Sequence, residues 1–354
     1  MTAGILPPIE NETFSSWVYR CSVASPEISL RLRSPSVKSW SGRFIDEWIY
    51  EDPDFDVDSE FLRFAAEDLS LSSDLIEEMV RRENRTVLTW PARRIYCREC
   101  LRGDVSRGHL PAWRKEWCYV DSVFCTVHGL QFSCLKHEHD IEKGWVAFSD
   151  SALQKGCFSR DFETWVTDPV RAEKHKLLQQ IHSWRERRYS EIEIDFDILL
   201  NCFELVFSLF LQAPTTEHSG GLGWHISHWG SGRPNLGRYR HSYGRSLSTG
   251  VMEAGINERV CALILAGRAF GIISPADIEV LSSSARSFYY PFSYSKEALG
   301  HCCSNYNNSD EYLYLMSQFE RFPIASMGLL AEFISGVQRK QHNTIAHSAW
   351  LRGR

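Results

Sequence analysis

The chain has 354 residues, of which 43% are hydrophobic and 13% aromatic, and its formal net charge is −6. This composition excludes a disordered protein, and the length predicts two or three domains rather than one core. The acidic balance disfavours a protein whose only role is to hold DNA, because phosphate binding needs a basic surface.

No secretion signal or membrane anchor is expected. The N-terminal sequence MTAGILPPIENE has no basic segment followed by an apolar run. The most apolar stretch, residues 198–213, is interrupted by Asn201 and Glu204. A cytoplasmic location follows, and there most of the 11 cysteines should be reduced thiols or metal ligands rather than disulfides.

Residues 1–90 are predicted to form an N-terminal helical domain. Asn11 or Thr13 is placed to cap a first helix. Apolar residues recur along that helix at the spacing of one buried face: Phe14, Trp17, Val18 and Cys21. A second helix is expected within residues 41–50.

Residues 59–83 have the pattern of a helix, a tight turn and a second helix that Ser72 or Ser73 caps. DNA-binding helix-turn-helix units have this organisation. The second helix, however, carries acidic residues where a recognition helix meets DNA: Asp74, Glu77 and Glu78. A packed helical pair is therefore preferred. Basic residues at the far end leave the DNA-binding alternative open: Arg81, Arg82 and Arg85.

Residues 91–165 contain two pairs of metal-ligating residues. YCREC separates Cys97 from Cys100 by two residues, and FCTVH separates Cys125 from His128 in the same way. This spacing lets both members of a pair reach one ion from a tight turn, and a Cys₃His set is typical of structural Zn²⁺. The sequence predicts a closed zinc-binding lobe. The alternatives are unmetallated cysteines, Cys118 as a competing ligand, and a catalytic zinc with an open position.

Aromatic and aliphatic residues between the two pairs are expected to pack the lobe: Trp113, Trp117, Tyr119, Val120 and Phe124. A second zinc site is an open alternative further along the chain. Its four ligands would be Cys134, His137, His139 and Cys157, whose spacing is irregular. Otherwise packing around Trp145, Phe148 and Phe158 would hold that part of the lobe.

Residues 166–354 are predicted to form a C-terminal helical domain, which makes the whole protein mainly α. A glycine-rich segment, residues 218–250, is expected to be a loop or an irregular surface. Arginines alternate there with aromatic residues. This composition is expected of a surface that contacts nucleic acid, of one that contacts a protein partner, and of a solvated loop. The candidate contact residues are Arg233, Arg238, Arg240 and Arg245.

Enzyme signatures are missing from the sequence. It has no GxxxxGK(S/T) loop, no GxSxG elbow, no HExxH helix and no GxGxxG after a predicted strand. The sequence therefore predicts a protein that binds and does not catalyse.

Three segments together resemble the TniQ family, which includes TnsD. They are LPPIENETFSSWVYR, the helical pair FAAEDLSLSSDLIEEM, and YCRECL followed by HLPAWRKEWCYVDSVFCTVHGLQF, within residues 6–137. Family members have an E-(S/T)-(L/F)-x-S-(W/F) helix, a CxxC, a W-R segment and C-x-x-H-G in this order. Many have a second zinc site made of further CxxC pairs, from which this chain departs.

The resemblance implies a bacterial target-site selector for DNA transposition, with zinc ligands Cys97, Cys100, Cys125 and His128. The expected partners are a guide-RNA effector of the CRISPR Cascade type, a TnsC-like AAA+ ATPase, a second copy of the chain, and target DNA reached directly or through the complex on the nucleoid. The acidic charge, the acidic second helix and the modest length favour this adaptor. The alternatives are a TnsD-like reader of a fixed DNA site and a zinc protein unrelated to transposition.

Overall fold

A computed structural model describes residues 5–25, 28, 52–137, 141–153, 169–186, 196–227, 241–279 and 295–340. The chain divides into two compact units, residues 1–161 and 162–354. The described residues are mainly α-helical, which confirms the predicted fold class. The helix expected within residues 41–50 lies outside the described residues.

The first unit contains five helices and one short ladder among its described residues. The helices are α1 (Phe14–Ala24), α2 (Glu60–Leu69), α3 (Ser73–Val80), α4 (Arg98–Ser106) and α5 (Lys143–Leu153). The strands are β1 (Ile95–Tyr96) and β2 (Ser133–Cys134), which pair antiparallel. Two short 3₁₀ turns are Trp90–Ala92 and Lys115–Cys118.

Helix α1 begins at a side-chain cap, which accepts a hydrogen bond from a backbone N–H of the first turn. Thr13 is the cap residue, and its hydroxyl accepts a hydrogen bond from the Ser16 backbone N–H. Asn11, the other predicted cap, lies just before it with a φ of 59°. The predicted apolar face is fully buried: Phe14, Trp17, Val18 and Cys21. The helical spacing in the sequence is thus confirmed.

Helices α2 and α3 form the predicted helix-turn-helix pair. Ser59 caps α2 and Ser72 caps α3. Each hydroxyl accepts a hydrogen bond from the backbone N–H of the third residue of its helix. Ser70 ends α2 in the left-handed conformation, with a φ of 51°, and so reverses the chain tightly. The pair packs on α1 through apolar residues that form one core with it: Phe61, Leu62, Ala65, Leu69, Met79 and Val80.

Hydrogen bonds join the N-terminal helices to the cysteine-rich segment. The Thr13 N–H donates to the Trp113 carbonyl at 3.0 Å, and the Trp113 N–H donates to the Ser16 hydroxyl at 2.8 Å. The Leu88 N–H donates to the Cys118 carbonyl at 2.8 Å. The first compact unit therefore spans the predicted N-terminal domain together with almost all of the predicted zinc-binding lobe.

The second unit is built from helices in its described residues. They are α6 (Pro169–Glu186), α7 (Phe196–Leu211), α8 (Leu222–Ser227), α9 (Tyr243–Glu253), α10 (Ile256–Ala269), α11 (Lys296–Cys303), α12 (Ser309–Phe319) and α13 (Ile324–Leu329), and residues 331–340 are also helical. Helices α7 and α10 form the centre of this unit; α10 is buried over most of its length and α7 over half of it. In the described parts of the chain, no helix is long and apolar enough to cross a membrane.

The glycine-rich segment differs from its prediction where the structure describes it. A loop was expected over residues 218–250, but α8 and the first part of α9 are helical. The glycines there allow close helix packing: a Cβ on Gly250 would lie 1.9 Å from the Leu211 carbonyl oxygen, and one on Gly221 would lie 2.3 Å from that of Phe210. The loop interpretation is therefore wrong for these two stretches.

Candidate metal centre

The β1–β2 ladder brings the two predicted ligand pairs together. Ile95 pairs with Cys134 and Tyr96 pairs with Ser133, so the strand that leads into Cys97 lies beside the strand that follows the second ligand pair. The Leu135 N–H extends the ladder by donating to the Arg94 carbonyl at 2.8 Å. Backbone pairing, rather than sequence proximity, sets the distance between the pairs.

The first ligand pair lies at the start of a helix. Cys97 is the cap residue of α4, and Cys100 lies in the first turn of that helix. The free backbone N–H groups at a helix N-terminus create a positive potential that stabilises thiolates. Helix α4 thus holds both sulfurs on one side, although hydrogen bonding among the thiols and burial raise the pKa of both above the ordinary value.

The second ligand pair lies in a tight hairpin turn. The Cys125 N–H donates to the Leu130 carbonyl and the Gly129 N–H donates to the Cys125 carbonyl, each at 2.8 Å. Gly129 has a φ of 64°, a conformation that glycine adopts without the steric cost of a Cβ. This turn folds His128 back over Cys125.

The four predicted ligand atoms converge on one point. The Nδ1 atom of His128 lies 3.5 Å from the sulfur of Cys97 and 3.4 Å from the sulfurs of both Cys100 and Cys125. All four ligand atoms lie within 4.8 Å of one another. Metal–sulfur bonds of about 2.3 Å and a metal–nitrogen bond of about 2.0 Å give tetrahedral edges of about 3.5 to 3.8 Å. The side chains therefore fit a four-coordinate metal ion.

The thiols influence one another's ionisation. Hydrogen bonds from Cys100 and Cys97 hold the pKa of the Cys125 thiol far below its ordinary value. Hydrogen bonds with Cys125 and Cys97, followed by burial, hold the pKa of Cys100 well above it. The three thiols lie so close together that ionisation of one disfavours ionisation of the others. A bound cation would stabilise all three thiolates at once.

Aromatic side chains pack together beside the β1–β2 ladder and the two backbone turns that carry the predicted ligands. Trp113 and Trp117 contact edge to face with ring centroids 5.2 Å apart, and Trp117 contacts Phe132 at 6.4 Å. The residues between the two ligand pairs that were predicted to pack the lobe are buried: Trp113, Trp117, Tyr119, Val120 and Phe124. The apolar packing predicted between the two ligand pairs is confirmed. The packing expected around Trp145, Phe148 and Phe158 differs, because Trp145 is 44% exposed and Phe148 half-buried, and Phe158 lies outside the described residues.

Cys118, the predicted competitor, lies outside the ligand group. Its side chain is fully buried, and its thiol donates a weak hydrogen bond to the Arg114 carbonyl at 3.6 Å. Burial raises the pKa of this thiol to about 12. A buried, neutral thiol with a backbone acceptor is a packing residue, so Cys118 is not part of the group suited to a metal ion.

The alternative second site is only partly described. Cys134 lies on β2 with an exposed side chain, and its thiol donates to the Leu135 carbonyl at 3.3 Å. His139 and Cys157 lie outside the described residues, whereas His137 lies within them. Among the described residues, the group of Cys97, Cys100, Cys125 and His128 is the one arrangement suited to a metal ion. The second site stays a prediction.

The arginine-rich contact segment also stays a prediction. Arg245 is exposed on α9, where its backbone N–H donates to the Ser242 hydroxyl at 3.4 Å. The three other arginines lie outside the described residues: Arg233, Arg238 and Arg240.

The first unit also contains buried charges that the sequence did not reveal. Arg93 donates to Asp52 at 2.9 Å and to Asp54 at 3.3 Å, and Asp54 is fully buried. The Nζ atom of Lys143 lies 3.5 Å from the centroid of the Trp90 ring. Burial lowers the pKa of Lys143 to about 8. Charged residues are usually exposed, so no local pattern marks such a cluster.

No family model, curated protein or solved structure matches this chain, so its function rests on the residues and geometry described above.

Proposed function

We propose that the protein is a non-catalytic target-selection adaptor in DNA transposition, of the TniQ type. In this role it links a CRISPR Cascade-type complex, which finds the target through its guide RNA, to an AAA+ ATPase that positions the transposase. The protein itself supplies binding surfaces held by a structural Zn²⁺ ion.

The single observation that carries the proposal is the contact between segments that resemble the family. The motif ETFSSW supplies Thr13 and Ser16, and the motif AWRKEW supplies Trp113, to which both are hydrogen-bonded. The Lys115 N–H donates to the Asn11 carbonyl at 2.7 Å. Segments that are about one hundred residues apart thus form one structural unit with the metal-binding residues. Such contacts give a physical reason for the motifs to occur together.

Zinc is the metal that suits the donor set best. Three thiolates and one imidazole are soft to borderline ligands, and Zn²⁺ accepts them in a closed tetrahedron. With all four positions taken by protein, the ion has no position for a substrate. A structural role follows, in which the ion stabilises the ligand turns and the surfaces that they carry.

The charge of the helix pair favours the adaptor over a TnsD-like DNA reader. Helix α3 exposes Asp74, Glu77 and Glu78, and α2 exposes Glu67. A recognition helix has to approach phosphates, which these carboxylates would repel.

Affinity purification of the full-length chain from its native host tests this function. Recovery of a guide-RNA effector complex and an AAA+ ATPase is the expected result. Recovery of neither, together with salt-sensitive binding of the purified chain to one DNA sequence in a gel shift, would favour the TnsD-like alternative. Recovery of neither without specific DNA binding would overturn both.

A further inference from the structure

An open groove lies on the surface of the helix pair in the first unit. It has a volume of about 830 Å³, within the range of known ligand-binding pockets. Its apolar lining comes from Val57 before α2, Leu62 and Ala66 on α2, and Ile76 on α3. Val57 is 58% exposed, and Ala66 and Ile76 are half-buried. The groove therefore presents apolar side chains to whatever fills it.

Carboxylates surround this apolar floor. Asp58, Glu67 and Glu77 line the groove and are exposed. Arg63 is the single basic residue among the described lining residues, and its guanidinium lies 5.1 Å from the centroid of the Phe64 ring. Residues 56–80 contain eight acidic side chains and one basic one. The potential over the groove is therefore negative, and a cationic occupant would be attracted.

We propose that this groove binds a short, basic, amphipathic helix of a partner protein. The described lining comes from two helices and the residues just before α2 and contains no strand, so recognition has to come from side chains and not from added strand pairing. An apolar helix face would contact Val57 and Ile76, and flanking lysines or arginines would reach Glu67 and Glu77.

The same charges exclude two other occupants. Nucleic acid would bring phosphates against Asp58, Glu67 and Glu77. A second copy of the chain that used this face would bring an identical acidic rim. Both meet repulsion between like charges. The proposal concerns the groove alone and does not depend on a role in transposition.

A fluorescence anisotropy titration of the full-length chain tests the proposal. The probe is a labelled helical peptide of about 12 residues, with leucines at i, i+3, i+4 and i+7 on one face and lysines on the other. We expect a Kd of about 10 μM in low salt, and weaker binding as added salt screens the charges. A peptide with glutamate in place of each lysine, and a duplex DNA of similar size, should not bind at the same concentrations.

Variants locate the binding to the groove. E67Q combined with E77Q should raise the Kd of the lysine peptide at least about fivefold, and V57S should raise it by about the same factor. The matched control is E78Q, because Glu78 is exposed on the same helix but does not line the groove. That change should alter the Kd less than about twofold.

Three outcomes would overturn the proposal: no binding of the lysine peptide, binding of the duplex DNA, or an equal loss of binding in E78Q. The last would indicate a diffuse acidic surface rather than a groove. All the substituted side chains are exposed, so circular dichroism should show unchanged folding.

Discussion

The sulfur atoms of Cys100 and Cys125 lie 3.6 Å apart, although 25 residues separate them in the sequence. A disulfide would bring them to about 2.0 Å, whereas two thiolates on one tetrahedral Zn²⁺ ion lie about 3.8 Å apart. The observed distance is close to the second value and far from the first. The two thiols are free and lie at a separation that suits one shared metal ion.

Replacing Cys97 with serine should release the metal and unfold the ladder around it. A hydroxyl is a poor zinc ligand, and folding energy in such sites comes largely from the ion. We expect the bound zinc to fall by about one equivalent per chain, as measured by elemental analysis. The control is C302S, which alters an exposed thiol in the other compact unit and should leave the zinc content unchanged. Equal zinc in C97S and wild type would refute the ligand assignment.

His128 should be replaceable by cysteine but not by alanine. Four-cysteine sites bind zinc as readily as Cys₃His sites, whereas alanine leaves one tetrahedral position without a protein ligand. His128 is exposed, so neither change removes much packing. Zinc content and thermal melting of H128C should therefore resemble wild type, while H128A should bind zinc more weakly and melt lower. Identical behaviour of the two variants would contradict the role of His128 as a ligand.

The buried Lys143 should make stability depend on pH. Burial lowers its pKa from 10.5 to about 8, so the unfolded chain binds the proton more tightly than the folded chain. The free energy that this lysine contributes therefore rises between pH 8 and pH 10.5, by about 3 kcal/mol, and is constant outside that interval.

The variant K143M isolates this effect, since methionine keeps the bulk of the side chain without its charge. Denaturant unfolding at pH 7 should show K143M to be more stable than wild type, and the difference should shrink as pH rises through the same interval. A destabilised K143M at pH 7 would indicate that contacts of the ammonium with Trp90 outweigh the cost of burying it.

Arg20 and Glu12 form a buried ion pair whose disruption should be costly. The Nη1 atom of Arg20 donates to Glu12 at 2.5 Å, and both side chains are almost fully buried. Removing one partner leaves the other charge buried without compensation, which typically costs about 3 to 5 kcal/mol. We expect R20M to lower the unfolding free energy by this amount, and R20M combined with E12Q to recover part of it.

The control is R102M, which breaks the more exposed pair of Arg102 with Glu99 in the same unit. A cost below about 1 kcal/mol is expected there. An equal decrease in the unfolding free energy of R20M and R102M would show that burial does not determine how much these ion pairs contribute to stability.

Local features of the fold could be predicted because they depend on neighbouring residues. The apolar spacing in α1, its cap at Thr13 and the cap of α3 at Ser72 are each encoded within about one helical turn. The separations of Cys97 from Cys100 and of Cys125 from His128 are equally local. Each pair could be recognised because both of its ligands lie on one turn of backbone.

The glycine-rich segment shows where local reasoning failed. Glycine lowers helix propensity, so its frequency there predicted a loop. Gly221 and Gly250 instead permit close contact with the backbone of α7, a partner that is remote from Gly250 in sequence. Packing of this kind overrides propensity, and a single stretch of sequence does not contain it.

The sequence alone determined the helical character of this protein and identified four side chains suited to hold a metal ion. Tertiary structure decided that those four meet, that Cys118 is excluded from them, that Lys143 is buried, and that an acidic groove forms beside α3. The division has one physical cause. Periodicity and turn chemistry act between residues a few positions apart, whereas coordination, burial and surface shape depend on segments that only the folded chain brings together.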